Sequence, residues 1–136
     1  MKKLTTIILS TACAFAAGSA FADGLTVVNK TKYSSTMKIN NSFCTSAVPG
    51  GIGVTKAGAT NSLSPFQVGI VLHLAGCSGS SCSADIYSDE TCGDGDKIGS
   101  GSVNTSDLSV TIDKSQTAAG FNIDFTAGTL TINPTT

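Results

Sequence analysis

The chain contains no arginine and no tryptophan, and only one histidine and three prolines among its 136 residues. All eight basic residues are lysines, and nine acidic residues outnumber them. A nucleic-acid-binding protein usually presents a basic stripe with arginines that contact phosphate and guanine. The composition therefore excludes nucleic acid as a partner. The lack of tryptophan also disfavours a sugar-binding platform, since such platforms stack the sugar on an exposed aromatic ring.

The single histidine, His73, limits the catalytic chemistry open to this chain. A Ser-His-Asp or Cys-His relay would have to use it. The G-x-S-x-G sequence of a nucleophile elbow is absent. We therefore predict a structural histidine on the polar side of a strand and no enzymatic activity. A small secreted hydrolase that uses His73 is an alternative.

The N-terminus has the three parts of a signal peptide. Lys2 and Lys3 precede an apolar run over residues 4–17, and Ala20-Phe21-Ala22 provides small residues at the cleavage site. The run is shorter than the roughly 20 residues that a spanning helix needs. We predict a signal peptide over residues 1–22, and export to the periplasm or beyond from a Gram-negative bacterium.

A lipoprotein is the alternative for this segment, with Cys13 as the lipidated residue. A lipobox usually has Leu where this chain has Ser10, so the match is poor. Without lipidation, residues 23–136 form the mature chain, and its size suits one domain. We predict no transmembrane segment in it.

Four cysteines remain after the signal peptide: Cys44, Cys77, Cys82 and Cys92. An even number in an exported chain predicts two disulfides. Their spacing does not fit a zinc ribbon, and no metal is predicted from them. Of the three pairings allowed, we favour Cys77–Cys82, stapling a hairpin loop, together with Cys44–Cys92.

Apolar residues of the mature part recur at period two, with Gly, Ser, Thr and Asn between them. This pattern predicts an all-β fold, a small antiparallel β-sandwich of about eight strands. Leu25–Asn29 and Ser34–Ile39 are expected to pair with each other. Phe66–Ala75 is predicted as a strand that buries the side chains of Val68, Ile70, Leu72 and Leu74.

A hairpin is predicted near the C-terminus, with Ala127-Gly128 at its turn. In that register Phe125 opposes Leu130, Ile123 opposes Ile132, and Asp124 opposes Thr131. Alanine is strained at the positive φ of a type I′ turn, so the turn type stays open.

Two sets of residues are candidates for binding. Asp89, Glu90, Asp94 and Asp96 share a glycine-containing loop that we interpret as a solvated acidic turn, with a weak calcium site as the alternative. His73, Tyr33 and Tyr87 are weak candidates for a partner surface, although Tyr87 fits a packed strand residue better. No cofactor is predicted.

The mature chain resembles small exported proteins of intracellular Gram-negative pathogens. The resemblance rests on three stretches: residues 25–31 (LTVVNKT), Cys44 with residues 54–58 (VTKAG), and residues 82–87 (CSADIY) ending at Cys92. It implies a secreted factor, with a role in virulence, and carries no catalytic motif.

These features predict a secreted non-enzymatic binding or effector module whose partner is an unidentified protein or surface ligand. A structural surface or pilin-like subunit is a second hypothesis. Asp23-Gly24 leaves almost no tail before the first strand, which argues against donor-strand exchange from this end.

Overall fold

Two β-sheets make up most of the protein in a computed structural model that describes residues 24–135. The strands of the first sheet are β1 (Leu25–Asn29), β4 (Thr60–Leu63), β8 (Phe121–Thr126) and β9 (Thr129–Pro134), in the order β4-β1-β9-β8. Those of the second are β2 (Thr36–Ile39), β3 (Phe43–Cys44), β5 (Ser81–Tyr87), β6 (Lys97–Asn104) and β7 (Val110–Ile112), in the order β3-β2-β5-β6-β7. One α-helix, α1 (Pro65–Leu74), connects β4 to β5.

The sheets pack into the predicted sandwich-like, mostly β fold around one apolar core. Ile123 of the first sheet and Ile86 of the second are both almost completely buried in that core. Gly99 in β6 allows the sheets to approach, because a Cβ atom there would overlap the side chain of Ile123. The strand pairs are antiparallel except that β9 runs parallel to β1, which the sequence pattern did not predict.

The predicted pairing of β1 with β2 is wrong, because the two strands lie in different sheets. The buried Asn29 side chain accounts for the divergence. Its Nδ2 donates to the carbonyl oxygens of Tyr33 (2.7 Å) and Thr55 (3.1 Å), and its Oδ1 accepts from the Thr31 backbone N–H (3.0 Å). These bonds hold the chain in a turn that leads away from the first sheet.

The hairpin prediction is confirmed, with Leu130 opposite Phe125, Ile132 opposite Ile123 and Thr131 opposite Asp124. Ala127 (φ 51°) and Gly128 (φ 83°) both have positive φ, as a type I′ turn requires.

The predicted strand over Phe66–Ala75 is wrong, since this segment forms α1. The Ser64 hydroxyl accepts from the Gln67 backbone N–H (3.1 Å), and Gln67 Oε1 accepts from the Ser64 backbone N–H (2.8 Å), which is a capping box. Pro65 suits the first helical position, and Gly76 (φ 76°) follows the last turn. The unbroken apolar run hid the helical period.

Both predicted disulfides are confirmed, Cys44–Cys92 and Cys77–Cys82. The second joins the segment after α1 to β5, and therefore does not close a hairpin between two strands. The predicted signal peptide and Cys13 lie outside the described residues.

Candidate functional site

The helix α1 has apolar side chains on both of its faces. Its inner face packs into the core through Val68, Val71 and Leu72, and Ala75 continues this row. On the opposite face Phe66 is 77% exposed, Leu74 49% and Ile70 38%. A helix that is apolar all round is normally covered on every side. We call the exposed side the α1 outer face, lined by Pro65, Phe66, Gly69, Ile70, His73 and Leu74.

Gly69 makes a shallow depression in the middle of the α1 outer face. Apart from the two adjacent residues and the backbone of the helix itself, no atom lies within 4 Å of a Cβ atom built at this position. Glycine in a helix interior costs about 0.5–1 kcal/mol relative to alanine. No close packing contact among the described residues requires a glycine at this position.

The chain segments before and after α1 are uncharged. The stretch from Ala57 to Ala84 contains no Asp, Glu, Lys or Arg. At the borders of this stretch, Lys56 forms an ion pair with Glu90 (3.0 Å) and Asp85 with Lys97 (3.4 Å). The charges nearest in sequence to the α1 outer face are therefore paired with other parts of the molecule.

The ends of α1 have partners for their backbone groups. Besides the capping box at Ser64, the carbonyl of Leu72 accepts from the Cys77 backbone N–H (3.0 Å) and that of His73 from Gly76 (3.0 Å). The Ala75 carbonyl accepts from Asn40 Nδ2 (2.8 Å). The helix can consequently enter an apolar environment with its terminal polar groups largely satisfied.

His73 lies on the α1 outer face, in contrast to its predicted place on the polar side of a strand, and it is exposed. In the part of the chain that the structure describes, its ring makes no hydrogen bond to a carboxylate or hydroxyl group. The hydrolase hypothesis requires a cleft in which a carboxylate and a hydroxyl group lie beside His73. The side chains that neighbour His73 on the α1 outer face are apolar.

The two tyrosines differ in exposure. Tyr87 lies in β5 and is only 4% exposed, with the Lys38 ammonium 5.6 Å from its ring centroid, so it offers little surface to a partner. Tyr33 is 48% exposed and lies in a shallow groove with Lys30, Lys32 and Phe121. The Lys32 ammonium is 5.7 Å from the Tyr33 ring centroid.

Two carboxylates of the acidic loop, Asp89 and Glu90, accept hydrogen bonds from other groups of the protein. Asp89 accepts from the backbone N–H groups of Thr91 (3.0 Å) and Gly93 (2.7 Å). Burial raises the pKa of Asp89, but these N–H groups and the Asp96 carboxyl together hold it below the usual range. The same contact with Asp89 raises the pKa of Asp96.

Glu90 bonds to residues outside that pair. Its hydrogen bonds to Lys56 and Ser34 lower its pKa. Across residues 24–135, no three His, Cys, Asp or Glu side chains are grouped to hold a metal ion. The calcium alternative stays a prediction.

The interior offers little room for a ligand. A cavity between the sheets has a volume of about 40 Å³ and is lined by core residues such as Met37, Val71 and Val110. Sites for small molecules usually measure about 300–1,000 Å³. This cavity is therefore too small to hold such a ligand.

The fold is similar to the crystal structure of the Legionella pneumophila type II secretion system substrate NttC. The TM-score is 0.64 at 20% sequence identity, and the similar region covers 82% of this chain and 97% of that protein. At this identity the likeness shows the fold. No protein-family profile and no curated protein matches the chain.

The sequence pattern did not identify Phe66, Ile70 and Leu74 as exposed residues, because it predicts a strand in this segment. In that strand Ile70 and Leu74 would have been buried. The Ser-Pro-x-Gln sequence at residues 64–67 was the signal that could have found the helix. Among the described residues, no helix has the length and apolar character needed to cross a membrane.

Proposed function

We propose that this protein is a secreted, non-enzymatic binding module that acts outside the bacterial cell through the α1 outer face. The observation that carries the proposal is an apolar, uncharged helix face left exposed on a disulfide-linked domain. Exposed apolar patches on soluble domains commonly mark interaction sites. The capping box at Ser64 and the packing of Val68, Val71 and Leu72 on the core position this face.

Secretion by a type II system is part of the proposal. The fold similarity to a type II secretion substrate supports it. The two disulfides also fit export, because such bonds persist in oxidising compartments.

The secretion step is tested by following the protein in the bacterium that encodes it. The culture medium of the parent strain should contain the protein with both disulfides formed. A strain lacking the type II outer-membrane pore should retain it in the periplasm. Equal amounts in the two media would contradict this step.

The binding step is tested by placing a photoreactive phenylalanine analogue at Phe66 and, as a matched control, at Tyr33. Both side chains are aromatic and exposed, but Tyr33 lies beside lysines. After incubation with intact cultured eukaryotic cells and illumination, adducts should form from the position of Phe66 and not from that of Tyr33. A chain that forms no adduct from either position would contradict the binding role.

A further inference from the structure

We propose that the α1 outer face inserts into the surface of a lipid bilayer composed of zwitterionic lipids. This inference rests on the proposed function and names the partner of the same face. The helix would lie in the plane of the membrane, with Phe66, Ile70 and Leu74 among the outer parts of the acyl chains. Its inner face would stay packed on the core.

The lack of basic residues near α1 in the sequence favours a membrane whose lipids carry no net charge. Peripheral proteins that bind anionic lipids use clustered Lys and Arg beside their apolar contacts. No such residue occurs from Ala57 to Ala84, and Lys56 at its border is paired with Glu90. The mature chain also has an excess of acidic residues. The α1 outer face thus offers apolar contact without attraction for anionic headgroups.

The shape and size of the surface argue against a second copy of the chain. From their exposed fractions, Phe66, Ile70 and Leu74 present about 300 Å² of mainly apolar surface in all. A stable protein interface buries about 800 Å² on each partner, so a dimer through this face would have to bury more than as much again from residues outside this set. Phe66 is also 77% exposed. Fluid acyl chains can surround such a side chain, whereas a folded partner would need a matching pocket.

The hydrogen bonding of α1 is compatible with this environment. Backbone groups exposed to lipid must be satisfied within the protein. The cap at Ser64 and the bonds to the carbonyls of Leu72, His73 and Ala75 satisfy most of these groups at the helix ends. His73 is exposed at the C-terminal part of the same face.

The test uses the lack of tryptophan in this chain. The variant Phe66→Trp carries one tryptophan on the α1 outer face, and Tyr33→Trp carries one on a surface outside it. With phosphatidylcholine vesicles, the emission of Phe66→Trp should shift to shorter wavelength and be quenched by brominated acyl chains. Tyr33→Trp should show neither change.

Flotation of the unmodified mature chain with the same vesicles provides a second readout. The double variant Phe66→Ser/Ile70→Ser should bind at least about tenfold less, because it loses most of the inserted apolar area. Phosphatidylserine in the vesicles should not raise binding by the unmodified chain, and added salt should not lower it. Binding that needs phosphatidylserine would overturn the choice of lipid. Intact disulfides and an unchanged circular dichroism spectrum check that each variant is folded.

Three other outcomes would overturn the inference and separate it from the proposed function. If vesicles do not bind and the photoreactive analogue at Phe66 attaches to a cell protein, the face binds protein and the lipid inference fails alone. If sedimentation shows a dimer that Phe66→Ser/Ile70→Ser abolishes, a second copy covers the face. If neither lipid nor protein is labelled and no dimer forms, both proposals fail.

Discussion

At the scale of single residues, buried polar side chains determine how the chain passes between the sheets. Asn29 ends β1 and is 1% exposed, yet its amide has partners on both sides. It donates to the backbone of Tyr33 and Thr55 and accepts from Thr31. A buried amide of this kind specifies one turn conformation, because each alternative would leave its partners unsatisfied.

Replacing Asn29 with Ala should lower the free energy of unfolding by about 3 kcal/mol, since buried backbone carbonyls lose their donor. Denaturant unfolding followed by circular dichroism measures the change. Asn122→Ala is the matched control, because Asn122 is exposed in β8 and should change stability by less than about 0.5 kcal/mol. Equal effects of the two substitutions would contradict the assigned role of Asn29.

The Asp89 and Asp96 pair makes stability depend on pH in two opposite directions. The lowered pKa of Asp89 contributes stability above the usual carboxyl range, which is lost as the pH falls through its value in the folded protein. The raised pKa of Asp96 contributes stability below that range, which is lost as the pH rises through its folded value. At neutral pH the two charges repel each other.

We therefore expect Asp96→Asn to raise the free energy of unfolding at neutral pH and to lose this advantage as the pH falls through the raised pKa of Asp96, where that carboxylate takes up its proton. Denaturant unfolding across this pH range is the measurement. Asp94→Asn, in the same loop, should show no such pH-dependent gain. A gain from Asp96→Asn that stays constant with pH would show that repulsion by Asp89 is not its cause.

At the scale of the element, the N-terminus of α1 is well capped, whereas its centre contains a glycine that disfavours helix formation. The capping box at Ser64 and the proline after it favour helix formation. Gly69 opposes it, and no packing contact compensates. The stability of the helix consequently depends on its inner face, through Val68, Val71 and Leu72.

Gly69→Ala should raise the free energy of unfolding by about 0.5–1 kcal/mol, because alanine restricts the unfolded chain and has room on the folded helix. Thermal and denaturant unfolding check this. Gly101→Ala is the contrasting variant, since a Cβ atom there would overlap the backbone carbonyl of Thr111 in β7. It should destabilise the protein, and a stabilising Gly101→Ala would contradict the packing described for β6 and β7.

At the scale of the whole molecule, the disulfides differ in how much of the chain they constrain. Cys44–Cys92 spans 48 positions and ties β3, an edge of the second sheet, to the acidic loop. Cys77–Cys82 spans five positions next to α1. In the chain-entropy account, the longer loop gives the larger stabilisation.

Removing the long-range bridge with Cys44→Ala/Cys92→Ala should cost about 4 kcal/mol, against about 2 kcal/mol for Cys77→Ala/Cys82→Ala. Unfolding without reductant, with intact mass to confirm the remaining bridge, measures both. The reverse order of the two costs would show that strain or residual structure in the unfolded chain outweighs loop length.

The sequence alone determined the β-rich class and the hairpin at Ala127-Gly128, and it favoured the two disulfide pairings that form among the three that four cysteines allow. Each depends on local information: alternation over a few residues, cysteine number and spacing, or a turn between two apolar runs. The register of Ile123 with Ile132 followed because a shift by one residue would turn both side chains away from the core.

Only the tertiary structure decided the sheet in which each strand lies, and the apolar pattern within residues 65–74 did not distinguish a strand from a helix. In the run from Val68 to Leu72 nearly every residue is apolar, so a period of two and a period of 3.6 fit equally well. The parallel pairing of β9 with β1 joins the two ends of the domain, and local pattern carries no information about it. Exposure of Phe66 likewise depends on which helix face the sheets cover, and that is a property of the assembled core.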